Sequence, residues 1–190
     1  MSHQAKTYIT PAEYLALERQ AEHKSEYYDG EIFAMTGASQ EHNLITVNVV
    51  SELHAQLKKR NCQTYANDMR VRVPATGLYT YPDVVVVCGE PQLEDEHLDT
   101  LLNPVLIAEV LSKSTARYDR TGKFSDYRSI SSFAEYLLVA QDEYRVEHYT
   151  KRADERWLLT EYRALAEVLE LGSIQCSLSL KEIYDKVSVQ

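Results

Sequence analysis

The spacing of apolar residues changes period along the chain, and each change predicts an element. Thr10-Pro11-Ala12-Glu13 sets an N-cap, a proline at the first helical position and a capping-box acid in order, so a short helix begins there. In EYYDGEIFAM the pair Asp29-Gly30 lies between β-rich runs, the signature of a type I′ hairpin in which glycine supplies positive φ. Ser39 caps a longer helix, where Ile45, Val49, Leu53 and Leu57 form an i, i+4 apolar row and Lys58, Lys59 and Arg60 suit the negative end.

The middle of the chain reads as sheet, with strands at 63–73 (QTYANDMRVRV), 83–88 (DVVVVC) and 105–111. Between the last two, GEPQLEDEHLDTLLN carries Glu90, Glu94, Asp95, Glu96 and Asp99 and reads as a solvated loop without chemistry. Residues 119–130 read as a helix, followed by strands near 135–140, 144–150 and 156–163. LSLKEIYDKV closes the chain as a helix, with Ser179 and Glu182 in capping-box spacing. Helices outside a mixed sheet, with strands clustered late, predict an α/β or α+β architecture. No repeat or linker divides residues 1–190, which read as one domain.

A chain of 190 residues can bury around 70% of the surface it exposes when unfolded, enough for a sizeable core. No apolar run approaches the ~18 residues of a membrane span. The N-terminus, MSHQAKTYITPAEYL, lacks the apolar segment of a signal peptide. Cys62, Cys88 and Cys176 are odd in number without CxxC spacing, so a reducing, cytoplasmic setting is expected. The formal charge of −9 excludes a protein that coats nucleic acid by charge alone; a polyanion must meet a local patch.

That patch follows an anomaly. Within NPVLIAEVLSKST, Glu109 interrupts a strand that is apolar on both faces. An unpaired buried ion costs several kcal/mol, so Glu109 must be solvated, neutralised or held by a cation. Asp83 stands at the entry of the preceding valine strand. If the two strands pair antiparallel with Val87 opposite Val105, Asp83 faces Glu109, with Cβ atoms roughly 4.5–5.5 Å apart. Two such carboxylates repel unless a proton or cation lies between them, and Mg²⁺ commonly takes one or two carboxylates with water. Downstream, residues 112–128 carry Lys113, Arg117, Arg120, Lys123 and Arg128 against Asp119 and Asp126, five cations to two acids and a local balance of +3. Lys123 and Tyr127 are four apart and share a helix face, and Gly122 allows close approach of a ligand. Metal-holding acids, a lysine and a cationic strip are what phosphodiester hydrolysis needs.

The order Pro82-Asp83, then Glu109-Val110-Leu111 26 positions after the aspartate, resembles the PD-(D/E)xK nuclease motif and implies a restriction-endonuclease-like core. The motif's lysine is replaced by Leu111; variants of that superfamily take it from the following helix, where Lys123 matches. SEYYDGEIFAMTGASQEHNLI, YPDVVVV and EVLSKSTARYDRTGKFSDY together resemble the Uma-type family, to which restriction-endonuclease character is ascribed. The resemblance implies Asp83 and Glu109 as ligands of Mg²⁺ or Mn²⁺, the Val110 carbonyl as a further ligand, and Lys123 as the catalytic lysine. It puts Glu26 and His42 in family-like positions and makes Tyr127 a candidate phosphate or water contact, with Lys113, Arg117 and Arg120 facing DNA. A homodimer is expected by analogy with nucleases that cut both strands.

Plainer readings stand beside these. Asp83 and Glu109 also fit polar residues at strand ends, Lys123 a solvated helix lysine with Lys113 its competitor, His42 a capping residue and Glu26 a hairpin acid paired with a lysine. The remaining histidines lack zinc spacing, and no phosphate-binding loop or nucleophile elbow is present. The leading expectation is a Mg²⁺-dependent DNA endonuclease; the rivals are a non-cutting nuclease-derived binder and an assembly protein.

Overall fold

The computed structural model describes residues 8–189, so the stretch before Tyr8 lies outside the described residues. Helix α1 (Pro11–Glu18) has the full capping box, the Thr10 side chain accepting from the Glu13 N–H while Glu13 accepts from Thr10. Strands β1 (Ser25–Tyr28) and β2 (Glu31–Ala34) form the hairpin, and Asp29 and Gly30 both have positive φ, as a type I′ turn requires. Helix α2 (Gln40–Leu57) follows with Ser39 as its N-cap.

Strands β3 (Cys62–Ala66), β4 (Arg70–Val73), β5 (Leu78–Thr80), β6 (Val84–Cys88), β7 (Thr100–Leu101) and β8 (Leu106–Leu111) make up the middle. The stretch 63–73 is therefore two strands. The break at Asn67-Asp68 sends β3 into a six-stranded sheet and β4 into a five-stranded one. Next comes one helical segment: α3 (Ala116–Tyr118), a π-helical turn (Asp119–Lys123) and α4 (Phe124–Tyr127). Strands β9 (Glu135–Ala140), β10 (Val146–Lys151), β11 (Trp157–Tyr162), β12 (Val168–Leu171) and β13 (Cys176–Ser179) precede α5 (Leu180–Ile183), which is shorter than the closing helix the sequence predicts.

The larger sheet runs β11-β10-β9-β8-β6-β3, the smaller β2-β1-β5-β4-β7, and β12 and β13 form a ribbon. One core lies between the larger sheet and α2, α5 and the ribbon; it holds Ile45, Val49, Leu53 and Leu57 against Val84, Val86, Leu106, Ala108 and Val110. A second core lies between the two sheets, where Val85, Val87, Ile107 and Leu111 meet Val71, Val73, Leu78 and Leu101. Even-numbered residues of β8 thus enter one core and odd-numbered ones the other, the period-two alternation of a strand buried on both faces. Glu109 is odd, and alternation alone sends it between the sheets.

Two expectations change. Cys62 and Cys88, read as thiols of a reducing setting, are bonded to each other, because the β3–β6 register makes them direct partners; Cys176 is free and buried. The acidic stretch is no solvated loop. Asp95 and Asp99 pair with Arg19, Asp99 also with buried Arg70, and Glu94 pairs with Arg72, so three of its acids tie α1 and β4 together. Among the described residues no helix is long and apolar enough to cross a membrane.

Candidate active site

Strands β6 and β8 pair antiparallel with Val84 opposite Ala108, Val85 opposite Ile107 and Val86 opposite Leu106. One further step sets Asp83 opposite Glu109, the register expected from the valine run. The two ends interlock: Asp83 Oδ2 accepts the Val110 N–H at 2.7 Å, and the Asp83 N–H points at Glu109 Oε2 at 3.4 Å. His42, on the first turn of α2, brings Nε2 to 3.2 Å from Asp83 Oδ2, while its Nδ1 is buried without a partner.

Because β8 and β9 are parallel, the chain must cross over between them, and the segment 116–127 lies on that crossover. It carries Lys123 and Tyr127 to Glu109. Lys123 Nζ stands 2.9 Å from Glu26, 3.3 Å from Glu109 Oε1 and 3.5 Å from Asp119 Oδ1. The Tyr127 hydroxyl donates to Glu109 Oε1 at 3.1 Å. Two bonds account for the widened turn in this segment. Thr121 Oγ1 donates to the Arg117 carbonyl at 2.7 Å, and the Tyr136 hydroxyl inserts at the Asp119 carbonyl at 3.2 Å.

The electrostatics follow from the count. Glu26, Asp83, Glu109 and Asp119 meet one lysine, and Glu109, Asp119 and Lys123 are all buried. Burial foremost pushes the Glu109 carboxyl well above the usual carboxylate range; the Lys123 ammonium opposes this, and the charges of Asp119, Asp83 and Glu26 add to it. Asp119 is raised for the same leading reason. Burial would discharge Lys123, but Glu109, Glu26 and Asp119 outweigh it and hold the amine protonated well above its ordinary range.

These groups line a cleft of about 1000 Å³ between the hairpin β1–β2, the N-terminus of α2, the end of β8 and the crossover segment. Of the residues expected at a site, Glu26, His42, Asp83, Glu109, Val110 and Lys123 all line it. The others separate. Tyr127 is fully buried behind Glu109 and holds that carboxylate, so it is not positioned to touch phosphate. Arg120, expected to face DNA, instead clamps Glu147 with Nε and Nη2 at 2.9 and 2.6 Å, because Glu147 is itself buried and needs a cation. Lys113 and Arg117 are exposed beside the cleft.

Sequence reading missed three participants. Asp119 sits four residues before Lys123, the same spacing that links Lys123 to Tyr127, so the signal was present. Thr80, whose hydroxyl donates to Glu26, gave none. Tyr118 leans over the cleft with its ring centroid 5.9 Å from Lys123 Nζ; burial foremost, aided by the charges of Glu26 and Tyr28, pushes its hydroxyl up to about 12.

The donor set suits a hard divalent cation: carboxylate oxygens of Asp83 and Glu109 in a cluster with surplus negative charge. Among the described residues no three His, Cys, Asp or Glu side chains converge as a ready cage, so such an ion would complete its shell with the Val110 carbonyl, water or substrate oxygen.

Comparison with known proteins agrees with this geometry. The chain is 46% identical over 153 residues to the uncharacterized protein sll1609 of Synechocystis sp., covering 80% of this chain and 86% of that protein. It is 36% identical over 176 residues to slr1290 of the same organism, also uncharacterized, covering 93% and 91%. A crystal structure from Anabaena variabilis, described as a putative nuclease belonging to DUF820, superposes with a TM-score of 0.76 at 21% identity, over 95% of this chain and 99% of that one, and shows the same fold. The family model described as "Putative restriction endonuclease" matches residues 11–181, and the chain belongs to that family, Uma2.

Proposed function

We propose that the protein is a Mg²⁺- or Mn²⁺-dependent DNA endonuclease, with Asp83 and Glu109 as metal ligands and Lys123 at the scissile phosphate. The observation that carries this reading is the convergence of four carboxylates on one buried ammonium at the open end of β8, a charge surplus that only protons or a cation can balance. A divalent ion bound there would lower the pKa of a water molecule and neutralise charge on the phosphate.

The chain's own groups divide the rest of the work. His42 and the Val110 N–H fix the Asp83 carboxylate, and Tyr127 and Lys123 fix that of Glu109, so neither acid rotates away. Lys123, held protonated by its three acids, acts as a charged donor toward a phosphate oxygen rather than as a base. Asp119 Oδ1, buried without a hydrogen-bond partner beside Lys123, is an acceptor for a proton passed through that amine.

Purified protein incubated with plasmid DNA and Mg²⁺ or Mn²⁺ should nick or cut it, and Asp83→Asn and Lys123→Ala should each abolish this. Cleavage that survives both substitutions refutes the assignment. A second reading, a nuclease-derived protein that binds without cutting, draws on Leu111 in the motif's lysine position and on the already neutralised Lys123. It predicts no calorimetric heat with Mg²⁺ or Mn²⁺ but salt-sensitive DNA binding. Cutting of both strands would call for a homodimer, which sedimentation can test.

A further inference from the structure

The cleft that holds the acid cluster is poorly equipped to grip a duplex. Its lining holds six acids, Glu22, Glu26, Asp68, Asp83, Glu109 and Asp119, against two permanent cations, Lys24 and Lys123. Both are engaged. Lys24 Nζ lies 2.8 Å from Asp68 and 2.9 Å from the Asn67 carbonyl, and Lys123 is held by three acids. Arg120 is spent on Glu147. Proteins that hold duplex DNA do so through many free Lys and Arg contacts to phosphate, and here Lys113 and Arg117 outside the lining are what the crossover segment offers.

The lining has exposed aromatic rings instead. In the β1–β2 hairpin Glu26 is directly opposite Phe33, and Tyr28 lies two residues along, so all three share one face. The opposite face, with Tyr27 and Ile32, packs against Tyr14 and Tyr79. Tyr28 and Phe33 therefore flank the acid that holds Lys123, yet remain 40% and 49% exposed. Tyr118, 40% exposed, approaches from the crossover side. Its ring lies against Gly122, where a Cβ would collide with it, so the glycine seats the ring at the cleft mouth. Burying three large rings would stabilise the fold, yet the fold leaves them bare around the candidate catalytic groups.

We propose that Tyr28, Phe33 and Tyr118 form a base-stacking platform, and that the cleft takes unpaired nucleotides, as in single strands, flaps or frayed ends, rather than uninterrupted duplex. Every base has a π-face, but in a duplex that face is hidden, so only unpaired bases can use the rings. Stacking needs no cations and so suits a lining short of them. This inference rests on the nuclease reading for its substrate class.

The test is fluorescence anisotropy of the full chain with a labelled DNA strand of about 16 nucleotides, alone and annealed to its complement, in EDTA and again with Ca²⁺. The single strand should bind at least about tenfold more tightly. Phe33→Ala and Tyr118→Ala should each weaken single-strand binding by roughly 5- to 150-fold and leave duplex binding unchanged, whereas Tyr118→Phe restores it. Circular dichroism verifies that each variant is folded. Equal affinity for strand and duplex, or binding indifferent to both alanine variants, overturns the platform even if Mg²⁺-dependent cleavage of duplex is observed. Selective strand binding that depends on the rings, in a protein that cuts neither substrate, supports the platform while the endonuclease reading fails.

Discussion

Replacing Lys123 by methionine removes the single cation from among three carboxylates at 2.9, 3.3 and 3.5 Å while keeping the aliphatic volume. Breaking a buried ion pair from one side costs about 3–5 kcal/mol, because the partner is left charged and unpaired. That cost depends on whether the acids can take up protons instead. Glu109 and Asp119 already favour the protonated form, and without the ammonium the folded variant should bind about one more proton than the parent near neutrality. One proton over two pH units is worth about 2.7 kcal/mol, so a deficit of about 4 kcal/mol at pH 7 should shrink to about 1–2 kcal/mol at pH 5. Urea denaturation of both proteins at the two pH values measures this. A deficit that does not change with pH, or one below about 1 kcal/mol at pH 7, refutes the idea that the amine is clamped by these acids.

Metal and pH should be linked. The folded-state pKa of Glu109 and Asp119 lies above the unfolded value, so the folded state binds more protons and metal-free stability falls as pH rises from the ordinary values of 4.5 and 3.8 toward the raised ones. A bound divalent ion displaces those protons, so the rise in Tm on adding Mg²⁺ or Mn²⁺ should grow with pH across that window and vanish in Asp83→Asn; a shift flat with pH speaks against binding at Glu109. The two arginines of the crossover segment should behave oppositely. Arg120→Ala strands the buried Glu147 carboxylate and should cost roughly 2–4 kcal/mol in urea denaturation, whereas Arg117→Ala should leave stability within about 0.5 kcal/mol and reduce the salt dependence of DNA binding. Equal stability losses for the two would contradict the ion-pair assignment.

The part of the site on the sheet was legible because strand alternation is a strict code. Four valines after Asp83 and the apolar run around Glu109 admit few registers, and the one that aligns the valines aligns the acids. The four-residue spacing of Lys123 and Tyr127 was equally plain, but whether those side chains reached strand or solvent depended on packing no local pattern contains. Tyr127 illustrates this, being read as a ligand contact and found holding Glu109. Elements set by long-range partners were the least legible. Asp95 and Asp99 look like loop acids until Arg19, some 80 residues earlier, folds over them. Strands β5, β7, β12 and β13 are two to four residues long and fall below the length at which alternation becomes a signal.

The π-helical turn has a consequence for how this sequence can drift. Its five residues, Asp119–Lys123, form a widened coil between the β8 exit and the amine. Losing any one of them would rewind everything downstream by about 100° about the axis, swinging Lys123 and Tyr127 away from Glu109 together. Single-residue deletions in this span should therefore be far less tolerated than point changes at the exposed Arg117 or Thr121, and an amine that has left its strand is fixed by residue number in the coil as firmly as it would be by a β-register.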